Sequence, residues 1–86
     1  MTYRVLIVPS AQKEIALLPV SVRRRIDERI RALADNPRPH GVLAMKGREK
    51  GYYRVRVGDY RIIYRVHDDV LIVVLIRVKH RREAYR

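Results

Sequence analysis

The 86-residue chain contains no cysteine, which excludes disulfide bonds and thiolate chemistry and is typical of proteins from reducing compartments. It also lacks a long hydrophobic run. The longest covers residues 70–76, whereas a membrane-spanning helix needs about 20 apolar residues. The N-terminus shows none of the consecutive regions of a secretory signal. These absences predict a cytoplasmic protein with no membrane partner, and the length predicts one domain spanning residues 1–86.

Acidic residues are scarce. The chain has 9 Asp and Glu against 20 Lys and Arg, for a net charge of +11, and 16 of the basic residues are arginine. Guanidinium is a planar, permanently charged fork that can bind phosphate through two hydrogen bonds. The charge therefore predicts a polyanionic partner, either nucleic acid or an acidic protein, and less readily a membrane surface. The alternative is that the charge only keeps a small protein soluble.

Several kinds of catalytic site have no sequence signature here. His40, His67 and His80 lack the spacing of metal ligands, and there is no phosphate-binding loop, dinucleotide motif or Ser-His-Asp pattern. We therefore predict that the protein uses no metal or cofactor. His40 and His67 adjoin turn residues and are interpreted as surface groups, whereas His80 precedes Arg81 in a basic tail and is a functional candidate.

The most informative stretch is 52–64, where Gly58-Asp59 joins two alternating runs and predicts a β-hairpin. Three cross-strand pairs follow from this turn: Val57 with Tyr60, Arg56 with Arg61, and Val55 with Ile62. The pleat then places three arginines on one face, namely Arg54, Arg56 and Arg61. Opposed like charges destabilise a sheet by roughly 0.2–1 kcal/mol per pair, so this face is predicted to hold an anion.

The remaining pattern predicts an α+β fold. A strand over residues 2–8 is followed by two helices, with Ser10 and Ser21 as predicted N-caps and with Asn36-Pro37 ending the second helix. An edge strand is predicted within 42–45, and the run 70–78 is predicted to be a central strand of an antiparallel sheet of three to four strands. The helical hairpin should cover one sheet face and leave the arginine face open.

The connection over residues 37–51 contains three basic residues, Lys46, Arg48 and Lys50. It is interpreted either as a solvated loop or as a segment that contacts phosphate. Together with Arg54 of the hairpin and Arg82 of the basic tail, these three residues form the candidate RNA-binding set.

These residues suit chemistry at a phosphodiester. Arginines can stabilise the charge that develops on phosphorus, and Tyr85 offers a ring for base stacking or a hydroxyl for a hydrogen bond. If no metal activates water, the economical nucleophile is the 2′-hydroxyl of the substrate, which favours RNA. Neither guanidinium nor tyrosine is a good base at neutral pH. A large RNA machine that orients the substrate would supply the missing rate.

The hairpin with Arg61, the β-α-α-β order and the ending His80-Arg81 with Tyr85 resemble the RelE/ParE toxin superfamily. The resemblance covers essentially the whole chain and implies a type II toxin with an acidic antitoxin in a hetero-oligomer. Its RelE branch cleaves messenger RNA in the ribosomal A site by 2′-hydroxyl attack, without a metal. The resemblance implies that Arg61 stabilises phosphate, Arg81 acts as general acid and Tyr85 stacks on the substrate.

Two positions depart from the family pattern, because Arg54 and Arg56 stand where the best-known member has lysines. A lysine can be tuned towards base catalysis and an arginine hardly can. The departure leaves the general base unassigned, with His80 or a ribosomal group as candidates. Two other functions compete with messenger RNA cleavage: inhibition of DNA gyrase, as in the ParE branch, and RNA binding without catalysis. The set of Arg61, Arg81 and Tyr85 favours the RelE branch.

Overall fold

The computed structural model describes residues 2–80, apart from the side chain at position 49. Two helices follow the first strand, and the remaining strands form a meander. The elements are β1 (Arg4–Ile7), α1 (Pro9–Ala16), α2 (Val20–Asp35), β2 (Leu43–Ala44), a 3-10 turn (Gly47–Glu49), β3 (Tyr52–Val57), β4 (Tyr60–His67) and β5 (Ile72–His80). The α+β order predicted from the sequence is confirmed.

The five strands form one sheet in the order β1-β5-β4-β3-β2. Among the described strands, β1 pairs in parallel along one side of β5, and the other neighbouring strands pair antiparallel. The predicted central position of the apolar run and the edge position of the short strand are both confirmed. Four antiparallel strands follow the helices, in agreement with the predicted three to four, and β1 adds a fifth strand in parallel beside β5.

The core lies between one face of this sheet and the two helices. Its side chains recur at helical spacing along α2 and at alternate positions along the strands, as burial of one helix stripe and one sheet face requires. The buried apolar residues are Ala11, Ile26, Ile30, Leu33, Val55, Val57, Ile62, Tyr64, Val73, Leu75 and Val78. The opposite sheet face carries the arginines of the hairpin.

The β3–β4 hairpin has the predicted register, with Val57 opposite Tyr60, Arg56 opposite Arg61 and Val55 opposite Ile62. Gly58 holds the first turn position with a φ of 58°, a left-handed conformation that a side chain disfavours. The turn chemistry therefore fixes which residues face the core.

A β-bulge between β4 and β5 changes the register beyond Ile63. Tyr64 pairs with Leu75, but Ile63 pairs with Arg77, so one residue of β5 has no counterpart. The extra residue moves Val78 to the core face and brings Lys79 opposite Arg61.

Both predicted serine caps are wrong. Helix α1 begins at Pro9, with Val8 in the N-cap position, and α2 begins at Val20 after Pro19. Neither helix has a side-chain cap hydrogen bond. Pro9 suits the first helical position because proline lacks the N–H that would have no partner there, so Ser10 is already helical. The predicted end of α2 at Asn36 is confirmed.

The last strand begins two residues later than predicted. Residues 68–71 form the turn after β4, and Leu71 has a φ of 55°, which an extended strand cannot contain. Val70 is consequently exposed rather than buried. Neither helix among the described residues is long and apolar enough to cross a bilayer.

Candidate functional site

A cavity of about 220 Å³ opens on the sheet face that the helices leave uncovered. The hairpin supplies its three cationic side chains, and the connection before the hairpin supplies its rim. The lining residues are Gly41, Leu43, Arg54, Arg56 and Arg61. None of these described lining residues is acidic. The structure therefore brings together the three arginines that the hairpin pattern placed on one face.

Arg61 forms the most deeply placed part of this cavity. It is only 5% exposed, whereas the sequence predicted an accessible arginine. It lies on β4, which is flanked by strands on both sides, and its Nη1 donates a hydrogen bond of 3.2 Å to the Tyr60 carbonyl. The ion pairs between described residues, Arg38 with Asp68 and Arg77 with Glu14, do not include Arg61.

A buried charge without a counter-charge is costly, since removing a charge from water must be offset by attraction to an opposite one. The register adds to the local positive charge, because Arg56 and Lys79 lie on either side of Arg61 in neighbouring strands. Lys79 was not among the predicted site residues. Its position opposite Arg61 depends on the bulge, which no local sequence signal indicates. This row of cations is suited to bind an anion.

His80 lies away from the arginine cavity. It pairs with Tyr60 on the helix-covered face, and its ring meets the Tyr60 ring edge-on at a centroid distance of 5.3 Å. It lines a separate cavity of about 280 Å³ with Glu14, Leu17, Leu18, Tyr60 and Val78. The structure therefore does not bring His80 together with Arg61, because the two residues point to opposite faces of the sheet.

The basic connection lies at the edge of the sheet beside the cavity. Lys46 and Arg54 line a cavity of about 240 Å³ with Leu43, Ala44 and Met45. Arg48 and Lys50 are exposed in the turn around Gly47–Glu49. The remaining predicted site residues, Arg81, Arg82 and Tyr85, lie outside the described residues.

Arg38, at the end of the sheet near the β4–β5 turn, has different surroundings from Arg61. Arg38 donates to both Asp68 oxygens, at 3.0 and 2.7 Å, and its Nε donates to the Tyr53 hydroxyl at 3.0 Å. The Tyr3 hydroxyl donates to the same carboxylate at 2.7 Å. The hydrogen bonds from Arg38 and then Tyr3 lower the pKa of Asp68 to about 2. This network joins the residues after α2 to β3 and to the β4–β5 turn.

Tyr64 links the same end to the core. Its hydroxyl is fully buried and donates a hydrogen bond of 2.7 Å to the Pro37 carbonyl, and its ring stacks on Tyr53 at 5.8 Å. Burial, followed by the charge of Tyr53, raises the pKa of Tyr64 to about 12. Tyr64 and Arg38 therefore hold the connection against the sheet before it reaches the cavity rim.

No cluster of three or more His, Asp or Glu side chains suited to a metal ion occurs among residues 2–80. The groups that converge in the arginine cavity are permanent cations and hydrogen-bond donors. They can bind a phosphate and stabilise additional negative charge on it. None of the described groups lining the cavity can accept a proton readily at neutral pH.

Comparison with known proteins adds family relationships to this geometry. Residues 5–85 match the family described as the ParE toxin of the type II toxin-antitoxin system parDE. A Methanocaldococcus jannaschii protein that carries the name RelE1 is 32% identical over 89 aligned positions, which cover all of this chain and 98% of that protein. The match therefore extends across the hairpin, the connection and the basic tail.

Two solved complexes contain chains of the same fold. One is the archaeal RelE-RelB complex from Pyrococcus horikoshii, with a TM-score of 0.83, 34% identity and coverage of 94% of this chain and 97% of the matched chain. The other is the RelBE2 toxin-antitoxin complex from Mycobacterium tuberculosis, with a TM-score of 0.85, 26% identity and coverage of 93% and 99%.

Proposed function

The chain belongs to the RelE/ParE superfamily of type II toxins, and on that basis we propose that it is a ribosome-dependent endoribonuclease. It cleaves messenger RNA in the ribosomal A site without a metal. The observation that carries this proposal is the buried Arg61 guanidinium in a cavity with two further arginines and no described acidic lining residue. A phosphodiester would place negative charge beside the buried Arg61 guanidinium.

In the proposed reaction, the 2′-hydroxyl oxygen attacks the adjacent phosphorus and the bond from phosphorus to the 5′-oxygen breaks. The products are a 2′,3′-cyclic phosphate and a 5′-hydroxyl end. One proton leaves the 2′-hydroxyl and one is delivered to the 5′-oxygen. Arg61 and Arg56 stabilise the extra charge on the phosphate oxygens, which is worth about 10²–10³ in rate for one well-placed donor. The resemblance assigns proton delivery to Arg81.

The general base is the part of this mechanism that the cavity does not supply. Of the two candidates, His80 lies on the opposite sheet face and packs against Tyr60. Its position favours a ribosomal group as the base. This division of roles explains why the activity would require the ribosome, which would also hold the message in the orientation for in-line attack.

The proposed partner is an acidic antitoxin that neutralises the toxin in a hetero-oligomer. The net charge of +11 supports such a partner, and the two matched structures are themselves toxin-antitoxin complexes. Co-expression with the product of a neighbouring acidic reading frame should yield a stable complex. Failure of every such frame to bind the toxin or restore growth would contradict this part of the proposal.

Primer extension on programmed ribosomes tests the cleavage directly. The purified toxin should cut the message within the A-site codon in the presence of a chelator, and free message should remain intact. Arg61→Ala should abolish the cuts, whereas Arg65→Ala, at an exposed arginine of the same strand outside the cavity, should retain them. Intact message with a wild-type protein that arrests growth would reject messenger RNA cleavage.

The match to the ParE family favours one alternative, inhibition of DNA gyrase. A gyrase poison would trap double-strand breaks in supercoiled plasmid and would not require ribosomes. Normal supercoiling without breaks removes this alternative. A protein that binds RNA but neither cuts message nor arrests growth would instead be a binding module.

A further inference from the structure

A second cavity, of about 290 Å³, lies between α2 and the turn that joins β3 to β4. The helix contributes residues at the spacing of a single helix face, and the turn contributes the opposite wall. The lining residues are Arg25, Glu28, Arg29, Ala32, Arg56, Val57 and Gly58. Three arginines and one glutamate therefore line a space large enough for a phosphate group.

The shape of this cavity depends on small residues and on close packing at the turn. Ala32 and Gly58 leave the space between the arginines open. The Arg25 guanidinium lies against the turn, since a Cβ added to Gly58 would be 3.0 Å from Nη2 of Arg25. A larger residue at position 58 would displace this guanidinium, in addition to straining the backbone.

The described residues that line this cavity form no ion pair with one another, and three arginines there outnumber one glutamate. The ion pairs between described residues involve Arg38 and Arg77, so Glu28 pairs with neither Arg25 nor Arg29 within 4.0 Å. Arg25 and Arg29 are also four residues apart on one helix, where like charges destabilise the helix by roughly 0.2–0.5 kcal/mol. An anion between them would remove this repulsion.

Arg56 lines both this cavity and the one that contains Arg61. The short strand β2 pairs only with Tyr53 and Arg54, so the edge of β3 beyond Arg54 has no strand partner among the described residues. The two cavities lie on either side of this uncovered edge, and the side chain of Arg56 reaches both. A single RNA strand that crosses the edge can place one phosphate in each.

We propose that the cavity of Arg25, Arg29 and Arg56 is a second phosphate site for the RNA strand that is held at Arg61. This inference rests on the proposed function, because it takes RNA as the ligand. In this site, Arg25 and Arg29 anchor the backbone beside the reacting phosphate and contribute to binding rather than to bond cleavage. It is therefore used only by an RNA long enough to cross the edge of β3.

Fluorescence anisotropy with 2′-O-methyl RNA, which cannot be cleaved, tests this inference. The double variant Arg25→Ala/Arg29→Ala should bind a labelled hexanucleotide on the order of tenfold more weakly, as loss of a charge-assisted phosphate contact predicts. The slope of log affinity against log salt should decrease in magnitude by about 0.7 for one lost phosphate contact. Binding of a dinucleotide, which is too short to reach both cavities, should be unchanged.

The matched control is Arg24→Ala/Arg31→Ala, which removes the same charge from exposed positions of α2 outside the cavity. It should retain wild-type affinity for both RNAs. Thermal unfolding followed by circular dichroism should show that both double alanine variants remain folded. The double variant Arg25→Gln/Arg29→Gln provides a second test, because glutamine keeps most of each side-chain stem. The inference would be overturned if both double alanine variants lost the same affinity for the hexanucleotide. It would also be overturned if Arg25→Ala/Arg29→Ala lost the same affinity for the hexanucleotide and the dinucleotide.

Two further outcomes separate this site from the proposed cleavage. If wild-type protein fails to cut message on ribosomes but shows the length-dependent binding, the nuclease proposal fails and the second site stands. If it cuts message but Arg25→Ala/Arg29→Ala binds the hexanucleotide normally, the second site fails and the nuclease proposal stands. Loss of affinity for an acidic antitoxin with unchanged RNA binding would also overturn the inference, by assigning the cavity to a protein partner.

Discussion

Arg61 lies near the start of β4, whereas Arg38 binds Asp68 just past the other end of that strand, and the two arginines have contrasting surroundings. Arg38 is half-exposed, yet it donates to both oxygens of Asp68 and to the Tyr53 hydroxyl. Arg61 is almost fully buried, yet its one described hydrogen bond goes to a backbone carbonyl and no described carboxylate pairs with it. Arg61, the more buried of the two cations, therefore has fewer described partners that offset the cost of burying its charge.

We propose that this difference separates a structural arginine, Arg38, from a ligand-binding one, Arg61. The chain has counter-charges available, because it contains 9 acidic residues and places two of them in ion pairs within the described region. Glu14, for example, accepts from Arg77 and from the Val78 N–H along the part of β5 that extends past β1. A buried arginine with no such partner among the described residues is costly for the fold, and we propose that an external anion completes its surroundings.

The largest expected effect is on catalysis, in Arg61→Met. We expect cleavage on programmed ribosomes to decrease at least about 10²–10³-fold, as for loss of one transition-state donor. The free energy of unfolding should be unchanged or higher, because methionine removes a buried charge and retains much of the apolar volume. Single-turnover cleavage and urea denaturation measure the two quantities. A clear loss of stability with retained cleavage would assign Arg61 to the structural class.

Tyr64→Phe tests the contact that holds the connection after α2 against the sheet, at the Arg38 end of β4. It removes the buried hydrogen bond to the Pro37 carbonyl and leaves that acceptor without its partner, at a cost of about 1–3 kcal/mol. Urea denaturation should show this loss, and the cleavage rate of the folded variant should be close to that of wild type. A comparable loss of cleavage at full folding would show that the connection to the cavity rim is coupled to the reaction.

The pKa of Tyr64 also predicts an alkaline limit to stability. Its folded pKa of about 12 lies above the ordinary value of 10.0, so its contribution is fully present below pH 10 and is lost as pH rises towards 12. The free energy of unfolding should decrease across that interval and should do so less steeply in Tyr64→Phe. Identical slopes in the two proteins would contradict the pKa shift.

Arg38→Met should have a smaller effect on stability and none on cleavage. The ion pair with Asp68 is partly exposed, so solvent screens most of its Coulomb energy, although the bidentate geometry and the Tyr53 contact add to it. We expect the melting temperature to decrease by a few degrees. Cleavage below one tenth of the wild-type rate in this variant would remove the contrast between the two arginines.

The smallest expected effect is on thermal stability at acidic pH. The folded pKa of Asp68, at about 2, lies below its ordinary value of 3.8, so its contribution is present above pH 4 and is lost as pH falls towards 2. The melting temperature should decrease over this interval, and Asp68→Asn should flatten the decrease. A variant that follows the wild-type curve would show that the Asp68 network is not maintained in solution.

Local patterns were sufficient to predict the hairpin and its arginine face. Gly58-Asp59 and the alternation around it determine the register of β3 against β4 and therefore place Arg56 opposite Arg61. The apolar run likewise predicted the central position of β5 in the sheet. These features depend on neighbouring residues, which is why they can be derived from the sequence.

Other features depend on tertiary packing. The bulge in β5 brings Lys79 opposite Arg61, and the packing of α2 against the turn places Arg25 beside Gly58. Neither arrangement has a local signal, although the spacing of Arg25 and Arg29 already places both on one helix face. Position in the tail suggested a role for His80, but the bulge directs it to the helix-covered face.

NMR of the arginine side chains tests most directly whether Arg61 binds phosphate. Titration with a 2′-O-methyl dinucleotide should shift the Nε–Hε signals of Arg61 and Arg56, with Arg38 and Arg77 as internal references that stay in place. Saturation of RNA binding with an unshifted Arg61 signal, or with shifts centred on Arg38, would contradict the assignment of the buried arginine to the RNA.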